Sequence, residues 1–120
     1  MKRTGPTNIL LRKTIRELRK VARRNNAPIW SAVAELLEKP RRQRIAVNIS
    51  RINRYTKEGD VVVVPGKVLG AGILDHPVTV AAVAFSKKAL EKIKAVGGRA
   101  IHILDLVNEN PRGSNVKIIG

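Results

Sequence analysis

The sequence of 120 residues has no cysteine, very few aromatic residues and few acids. Without cysteine, disulfides and thiolate metal sites are excluded, which favours an intracellular protein over a secreted disulfide scaffold. With aromatic residues at 2% of the chain, the core must be built from Val, Ile, Leu and Ala. The same scarcity argues against modules that stack single-stranded bases on aromatic rings. No apolar run approaches the roughly 20 residues that span a bilayer, and the sequence does not open with a signal-peptide pattern, so a cytoplasmic location is expected.

The sequence is strongly basic. There are 24 Lys and Arg residues against 9 Asp and Glu, which gives a formal net charge of +15 and a pI near 11.4. The excess is uneven, because residues 1–57 hold 16 basic and 3 acidic residues, whereas residues 58–120 hold 8 and 6. A compact protein with so large an excess usually binds a polyanion. The composition therefore predicts a nucleic-acid partner.

The first 57 residues are predicted to form a basic arm followed by helices. Residues 1–8 form the arm, which carries Lys2 and Arg3. A helix follows over residues 9–25, with a buried stripe at Leu11, Ile15, Leu18 and Ala22, which fall within roughly 60° of one another. A second stripe beside it is basic and consists of Arg12, Arg16, Arg19 and Arg23. Glu17 is the only acid on this helix, so a phosphate-facing surface is favoured over a solvated face with opposite-charge pairs.

A second helix is predicted over residues 28–38, with Asn26 as cap, Pro28 in its first turn and Trp30, Val33 and Leu37 buried. Trp30 is interpreted as a core anchor, with base stacking as the alternative. The next six residues, KPRRQR, place four cations around one proline, namely Lys39, Arg41, Arg42 and Arg44. Guanidinium groups bind phosphate with two parallel hydrogen bonds, although a solvated loop or a localisation signal would have the same composition. A short strand and a helical turn capped by Ser50 follow, and the turn carries Arg51 and Arg54.

Four consecutive valines at residues 61–64 predict a strand buried on both faces. We expect the strand to end at Pro65, with Gly66 at positive φ and Lys67 in the turn that follows. The remainder alternates strands, at residues 78–85, 100–103 and 116–119, with helices after Ser86 and at residues 104–108. This alternation predicts the α/β class. Lys67 and Arg112, both placed in tight turns, are weaker candidates for phosphate contact.

Motifs for catalysis or cofactor binding are incomplete. A phosphate-binding loop around Gly66 and Lys67 would need glycine and Ser/Thr where the chain has Val61 and Val68. His76 and His102 have no other ligands at metal spacing, so both are interpreted as structural or solvated. Asp75 next to His76 is interpreted as sequence adjacency and not as an oriented base. No enzymatic activity, cofactor, metal site or small-molecule substrate is therefore expected.

The run from residue 38 to residue 86 resembles archaeal large-subunit ribosomal proteins of the L-eighteen-e family, which is related to bacterial protein L-fifteen. The most specific segments are residues 39–42, 47–55 and 63–70, and the similarity continues through the Gly97–Gly98–Arg99 corner to NPRGSNV near the C-terminus. The resemblance implies an irregular superhelix of strand-strand-helix turns preceded by N-terminal helices and the short basic arm. It also implies a structural, non-enzymatic role on large-subunit ribosomal RNA, beside other large-subunit proteins and as a monomer.

Together these observations predict one ribosomal domain: residues 1–8 as the arm, 9–57 as the basic helical RNA-facing part and 58–120 as the α/β core. The candidate RNA contacts are the basic residues already named, namely Lys2, Arg3, Arg12, Arg16, Arg19, Arg23, Lys39, Arg41, Arg42, Arg44, Arg51, Arg54, Lys67 and Arg112. One alternative is a dimeric DNA-binding regulator that uses residues 28–38 as a recognition helix. Another is a nucleotide-using enzyme, which depends on Gly66 and Lys67 alone.

Overall fold

The first two elements of the structure are helices. The computed structural model describes residues 9–39 and 45–120, except for the side chain of Ile9. Helices α1 (Ile9–Asn25) and α2 (Pro28–Leu37) confirm both predicted helices, and the predicted apolar stripe of α1 is buried. Asn26 has a φ of +50° and ends α1, so its predicted role as the cap of α2 is wrong. Ala27 occupies the N-cap position, and Pro28 begins the helix as predicted.

The described residues form a sheet of five parallel strands: β1 (Ile45–Asn48), β2 (Val61–Leu69), β3 (Thr79–Phe85), β4 (Arg99–His102) and β5 (Val116–Ile118). Strand β2 is central, and β3 pairs along one of its edges, with β4 beyond β3. The other edge of β2 is shared by two strands. Residues 61–63 pair with β5, and residues 66–69 pair with β1. Two short strands that are far apart in sequence therefore lie in tandem along one long strand.

Helices cover both faces of the sheet. Because side chains alternate along a strand, the valine run supplies both cores. Val63 packs with α1, α2 and α5 (Ile103–Glu109), whereas Val62 and Val64 pack with α3 (Ile49–Tyr55) and α4 (Lys87–Ala95). The prediction of a strand buried on both faces is confirmed. The result is a helix–sheet–helix arrangement of the α/β class, with the predicted helices ahead of the sheet.

Strand β2 does not end at Pro65, so that prediction is wrong. The strand continues to Leu69, and its pairing with β3 shifts register between Val64 and Lys67. A bulge of this kind tolerates proline, which has no backbone N–H to donate. Gly66 is not among the glycines at positive φ, so the predicted turn conformation is also wrong. Glycine is required there because a Cβ would lie 2.0 Å from the carbonyl oxygen of Ile45 in β1.

The second half follows the predicted alternation. The Ser86 side chain accepts a hydrogen bond from the Ala89 backbone N–H and begins α4, and Gly97 follows α4 with a φ of +79°. His102 begins α5 through a capping box with Asp105, which gives this histidine a structural role. Ser50 lies inside α3, whose N-cap is Asn48, so the predicted Ser50 cap is wrong. The order strand-strand-helix occurs at β2, β3 and α4.

The connection from β2 to β3, residues 70–78, contains no helix and is fastened to its neighbours by side chains. Asn53 Oδ1 accepts from the Asp75 backbone N–H, and Lys92 donates to the carbonyl of Gly70. The imidazole of His76 lies between Asp75 Oδ1 and Thr56 Oγ1, each 2.7 Å from a ring nitrogen. The interpretation of Asp75 and His76 as mere sequence neighbours is therefore wrong. Their contact, with Thr56, ties the connection to the end of α3.

Candidate nucleic-acid interface

The basic stripe of α1 lies beside its buried stripe. Leu18 is fully buried and Leu11 and Ile15 nearly so, which fixes the rotation of the helix against the sheet. A residue one position later points about 100° around the axis, so the basic side chains leave at the edge of the core. Arg12, Arg16 and Arg23 are exposed, whereas Arg19 is half-buried. The predicted stripe is thus exposed along α1 except at Arg19.

Most α1 cations have no acidic partner in the described parts of the chain. Arg19 pairs with Glu38 just after α2, and Lys20 lies 3.8 Å from Glu17. The α1 cations without an ion pair to a described residue are Arg12, Lys13, Arg16, Arg23 and Arg24. Arg23 and Arg24 also lie in the last turn, where positive charge interacts favourably with the helix dipole. The α1 surface nevertheless carries far more positive charge than is needed to interact with the helix dipole.

The predicted basic loop is only partly described. Lys39 is exposed and is the last described residue before it, whereas Arg41, Arg42 and Arg44 lie outside the described residues. Lys2 and Arg3 of the predicted arm lie outside them too. Ile45, the next residue that the structure describes, pairs with Gly66 in β2.

Arg51 and Arg54 lie on α3, which covers the opposite face of the sheet from α1. Both arginines are exposed. Arg51 Nη2 donates to the carbonyl oxygen of Gly120 at 3.0 Å, and its guanidinium lies over the ring of Tyr55. The structure therefore separates the predicted cations into two groups, one on each side of the sheet.

Lys67 and Arg112 occupy different local structures. Lys67 is exposed within β2, so its predicted position in a turn is wrong. It lines a cavity of about 210 Å³ together with Leu11 and Leu37, which places it on the α1 side of the sheet. Arg112 is exposed in a turn, as predicted.

The two alternative functions lose their structural basis. Within the described residues, α2 has no basic side chain, and it buries Trp30, Val33, Ala34 and Leu37 in the core. Glu35 is exposed on it, which is unfavourable for a helix that enters a DNA groove. Gly66 and Lys67 lie in a strand and form no loop that could surround a phosphate.

Comparison with known proteins agrees with these observations. The whole chain, residues 1–120, matches the family model described as ribosomal protein 60S L18 and 50S L18e. The chain belongs to this family. The relatives include the large ribosomal subunit protein eL18 of Pyrobaculum aerophilum, which is 55% identical over 116 residues, covering 97% of this chain and 95% of the relative. The eL18 of Sulfurisphaera tokodaii is 53% identical over 117 residues, covering 98% and 96%.

The eL18 protein of Methanococcus maripaludis is 49% identical over 119 residues and covers 99% of both chains. The resemblance inferred from residues 38–86 is therefore confirmed along nearly the whole chain.

In the described part of this L18e chain, no helix is long and apolar enough to cross a membrane. No cluster of three or more His, Asp or Glu residues that could hold a metal ion occurs in that part either.

Sequence reasoning overlooked the cations of α4, because the C-terminal half has a small net charge. The exposed lysines there are Lys87, Lys88 and Lys94. Lys87 and Lys88 line a wide depression of about 600 Å³ at the carboxyl ends of β1 and β2. The sequence KKALEKIKA, with four lysines and one glutamate, was the available signal.

Ion pairs reduce the free positive charge elsewhere in the C-terminal half. Arg99 Nη2 lies 2.7 Å from Glu109 Oε2, and this contact raises the pKa of Arg99 and lowers that of Glu109. Lys117 Nζ lies 2.9 Å from Asp60 Oδ2. Two of the eight basic residues at 58–120 are therefore paired with acids, as are two of the seven on α1.

Asp60 provides a test of these electrostatics through pH. Its pKa is lowered below 3.8, chiefly by a hydrogen bond from the Lys57 backbone N–H and then by one from Lys117. A lowered folded-state pKa stabilises the protein above the unfolded pKa, and this contribution is lost as pH falls through the folded value. We expect Asp60→Asn to lower the Tm at pH 7, with the difference from wild type disappearing once the pH falls below the lowered pKa of Asp60. Glu58→Gln, at an exposed carboxylate nearby, is the control in thermal unfolding across the same pH range. A difference for Asp60→Asn that persists at low pH would contradict this assignment.

Proposed function

We propose that this protein is a structural constituent of the large ribosomal subunit. It binds large-subunit ribosomal RNA through Arg and Lys contacts to phosphate, stabilises the folded RNA and catalyses no reaction. The observation that carries the proposal is the exposed stripe of α1, whose arginines mostly lack acidic partners among the described residues. Membership of the L18e family and the names of the relatives, large ribosomal subunit proteins, support it.

The physical basis is a preorganised cationic surface. The buried stripe of α1 anchors the helix to the sheet, so the arginine side chains project from a backbone that does not have to be ordered on binding. Each phosphate contact releases condensed counterions, and this entropy gain supplies much of the affinity. Double-stranded RNA displays little readable sequence to side chains, so recognition follows its shape and backbone.

The proposed organisation keeps the three parts inferred from sequence: an arm at residues 1–8, a basic RNA-facing part at residues 9–57 and an α/β core at residues 58–120. The protein acts as a monomer within the subunit, beside neighbouring ribosomal proteins. The proposed RNA contacts beyond the α1 stripe are Lys2, Arg3, Lys39, Arg41, Arg42, Arg44, Arg51, Arg54, Lys67 and Arg112.

The proposal is tested by measuring the affinity of the purified protein for intact large-subunit ribosomal RNA over a range of salt concentrations. We expect Arg12→Ala, Arg16→Ala and Arg23→Ala, combined in one variant, to weaken binding by about 10-fold or more. The slope of log K against log salt should become shallower by about 0.7 to 0.9 for each phosphate contact removed. Alanine favours helix, so α1 should remain folded.

A matched control removes the same charge from another exposed helix. Lys87→Ala, Lys88→Ala and Lys94→Ala, combined on α4, should leave affinity within about 3-fold of wild type and the salt slope unchanged. Equal losses in the two triple variants would mean that net charge alone determines binding and would refute a specific α1 interface. Unfolding curves of both triple variants show whether each protein is folded under the conditions of the binding measurement.

A further inference from the structure

Tyr55, the only tyrosine in the chain, ends α3 with its side chain facing solvent. The residue is 50% exposed, whereas Trp30 is fully buried and Phe85 packs against the core. Within residues 9–39 and 45–120, no group is hydrogen-bonded to the Tyr55 hydroxyl. A large aromatic ring left in water is unusual in a protein that has so few of them, because its burial would contribute to stability.

Arg51 holds a guanidinium against this ring. It lies one helical turn before Tyr55, and its Cζ is 5.4 Å from the ring centroid. The same guanidinium donates through Nη2 to the carbonyl oxygen of Gly120 at 3.0 Å. Among the described residues, Arg51 has no carboxylate side chain as a partner. The hydrogen bond to Gly120 fixes the position of the guanidinium beside the ring.

The two side chains line an open depression of about 500 Å³, together with Lys117 and residues 118–120. Its volume is within the range of small-ligand sites and is ample for one nucleotide. Ile118 is partly exposed and supplies apolar surface, whereas Lys117 donates to the Tyr55 carbonyl oxygen and to Asp60. The depression thus combines an aromatic ring, a planar cation and an apolar wall.

We propose that this depression binds one unstacked base of structured RNA, which stacks on the exposed ring of Tyr55 beside the Arg51 guanidinium. Sequence-tolerant recognition of RNA commonly places splayed bases on aromatic rings or guanidinium planes, because every base has a π face. The positive charge of Arg51 favours the polyanionic strand that carries such a base. This inference rests on the proposed function, and it adds a base contact on the face of the sheet opposite the α1 stripe.

The test compares Tyr55 variants for affinity to intact large-subunit ribosomal RNA. We expect Tyr55→Ala to bind about 5- to 150-fold more weakly, the range measured for the loss of one base–aromatic stack. Tyr55→Phe should recover most of the affinity because it keeps the ring, and Tyr55→Leu should not, although it keeps apolar volume. The salt slope of Tyr55→Ala should equal that of wild type, since no phosphate contact is removed. Ultraviolet cross-linking of the wild-type complex should attach a nucleotide to Tyr55.

Two results would overturn this site. The first is that Tyr55→Ala binds the RNA as tightly as the wild type does. This is expected if the ring contacts a neighbouring protein or no other molecule. The other is equal binding by Tyr55→Leu and Tyr55→Phe, which would leave no role for an aromatic face. Failure of the wild-type protein to bind the RNA would instead refute the proposed function, so the two failures are distinguishable.

Discussion

Replacing Gly66 by alanine is expected to destabilise the protein by about 3 kcal/mol, because the new methyl group would collide with backbone. A Cβ at this position would lie 2.0 Å from the Ile45 carbonyl oxygen and 2.8 Å from the Ile45 carbonyl carbon. Neither atom can move away without breaking the pairing of β1 with β2, which begins at this pair of residues. Chemical denaturation followed by the fluorescence of Trp30 measures the loss.

Gly59 provides the control for this substitution. It has a φ of +86°, and a methyl group added there would have nothing within 4 Å, so alanine meets backbone strain without a collision. Gly59→Ala should therefore cost only about 1 kcal/mol. If the two variants lost the same stability, the close approach of β1 would not be the reason for glycine at residue 66.

Truncation of Trp30 to alanine is expected to cost about 3 to 5 kcal/mol. The side chain is fully buried between α1, α2 and α5, and its Nε1 donates to the Pro111 carbonyl oxygen at 2.9 Å. The substitution would therefore open a cavity and also release the C-terminal turn from α2. The turn packs closely there, since a Cβ at Gly113 would lie 2.3 Å from the Ile29 side chain.

Trp30→Phe separates these two contributions, because it keeps most of the aromatic volume and removes the N–H donor. Pro111 is exposed, so water can satisfy its carbonyl, and we expect a loss of roughly 1 to 2 kcal/mol. Far-UV circular dichroism is the appropriate probe, since both variants lack the fluorophore. A loss for Trp30→Ala no larger than that for Trp30→Phe would contradict a core-filling role.

Local patterns were sufficient to predict most of the secondary structure. The 3.6-residue repeat of α1 and the β-branched run of β2 depend on the chemistry of near neighbours, as does the helix that follows Ser86. The errors at Pro65 and Gly66 have a non-local cause. Whether a strand continues past proline depends on which strand lies beside it, and here that strand is β1, which precedes β2 in the chain and is separated from it by α3.

The candidate interface was predictable to the extent that it lies on one helix. The α1 stripe follows from helical spacing, and the structure exposes three of its four arginines. Sequence alone could not show that Glu38 pairs with Arg19, or that α3 lies across the sheet from α1, because both depend on topology. Tyr55 was overlooked because a low aromatic content describes the whole chain and says nothing about where one ring lies.

The tandem arrangement of β5 and β1 along β2 has a consequence for solubility. Among the described residues, β5 and the next residue, Ile119, cover the N-terminal part of one β2 edge, where residues 61–63 are valines. If β5 were removed by proteolysis or by local unfolding, these valines would present unpaired N–H and C=O groups to other molecules. Such an edge is a template for intermolecular pairing, so β5 protects a valine-rich segment from aggregation.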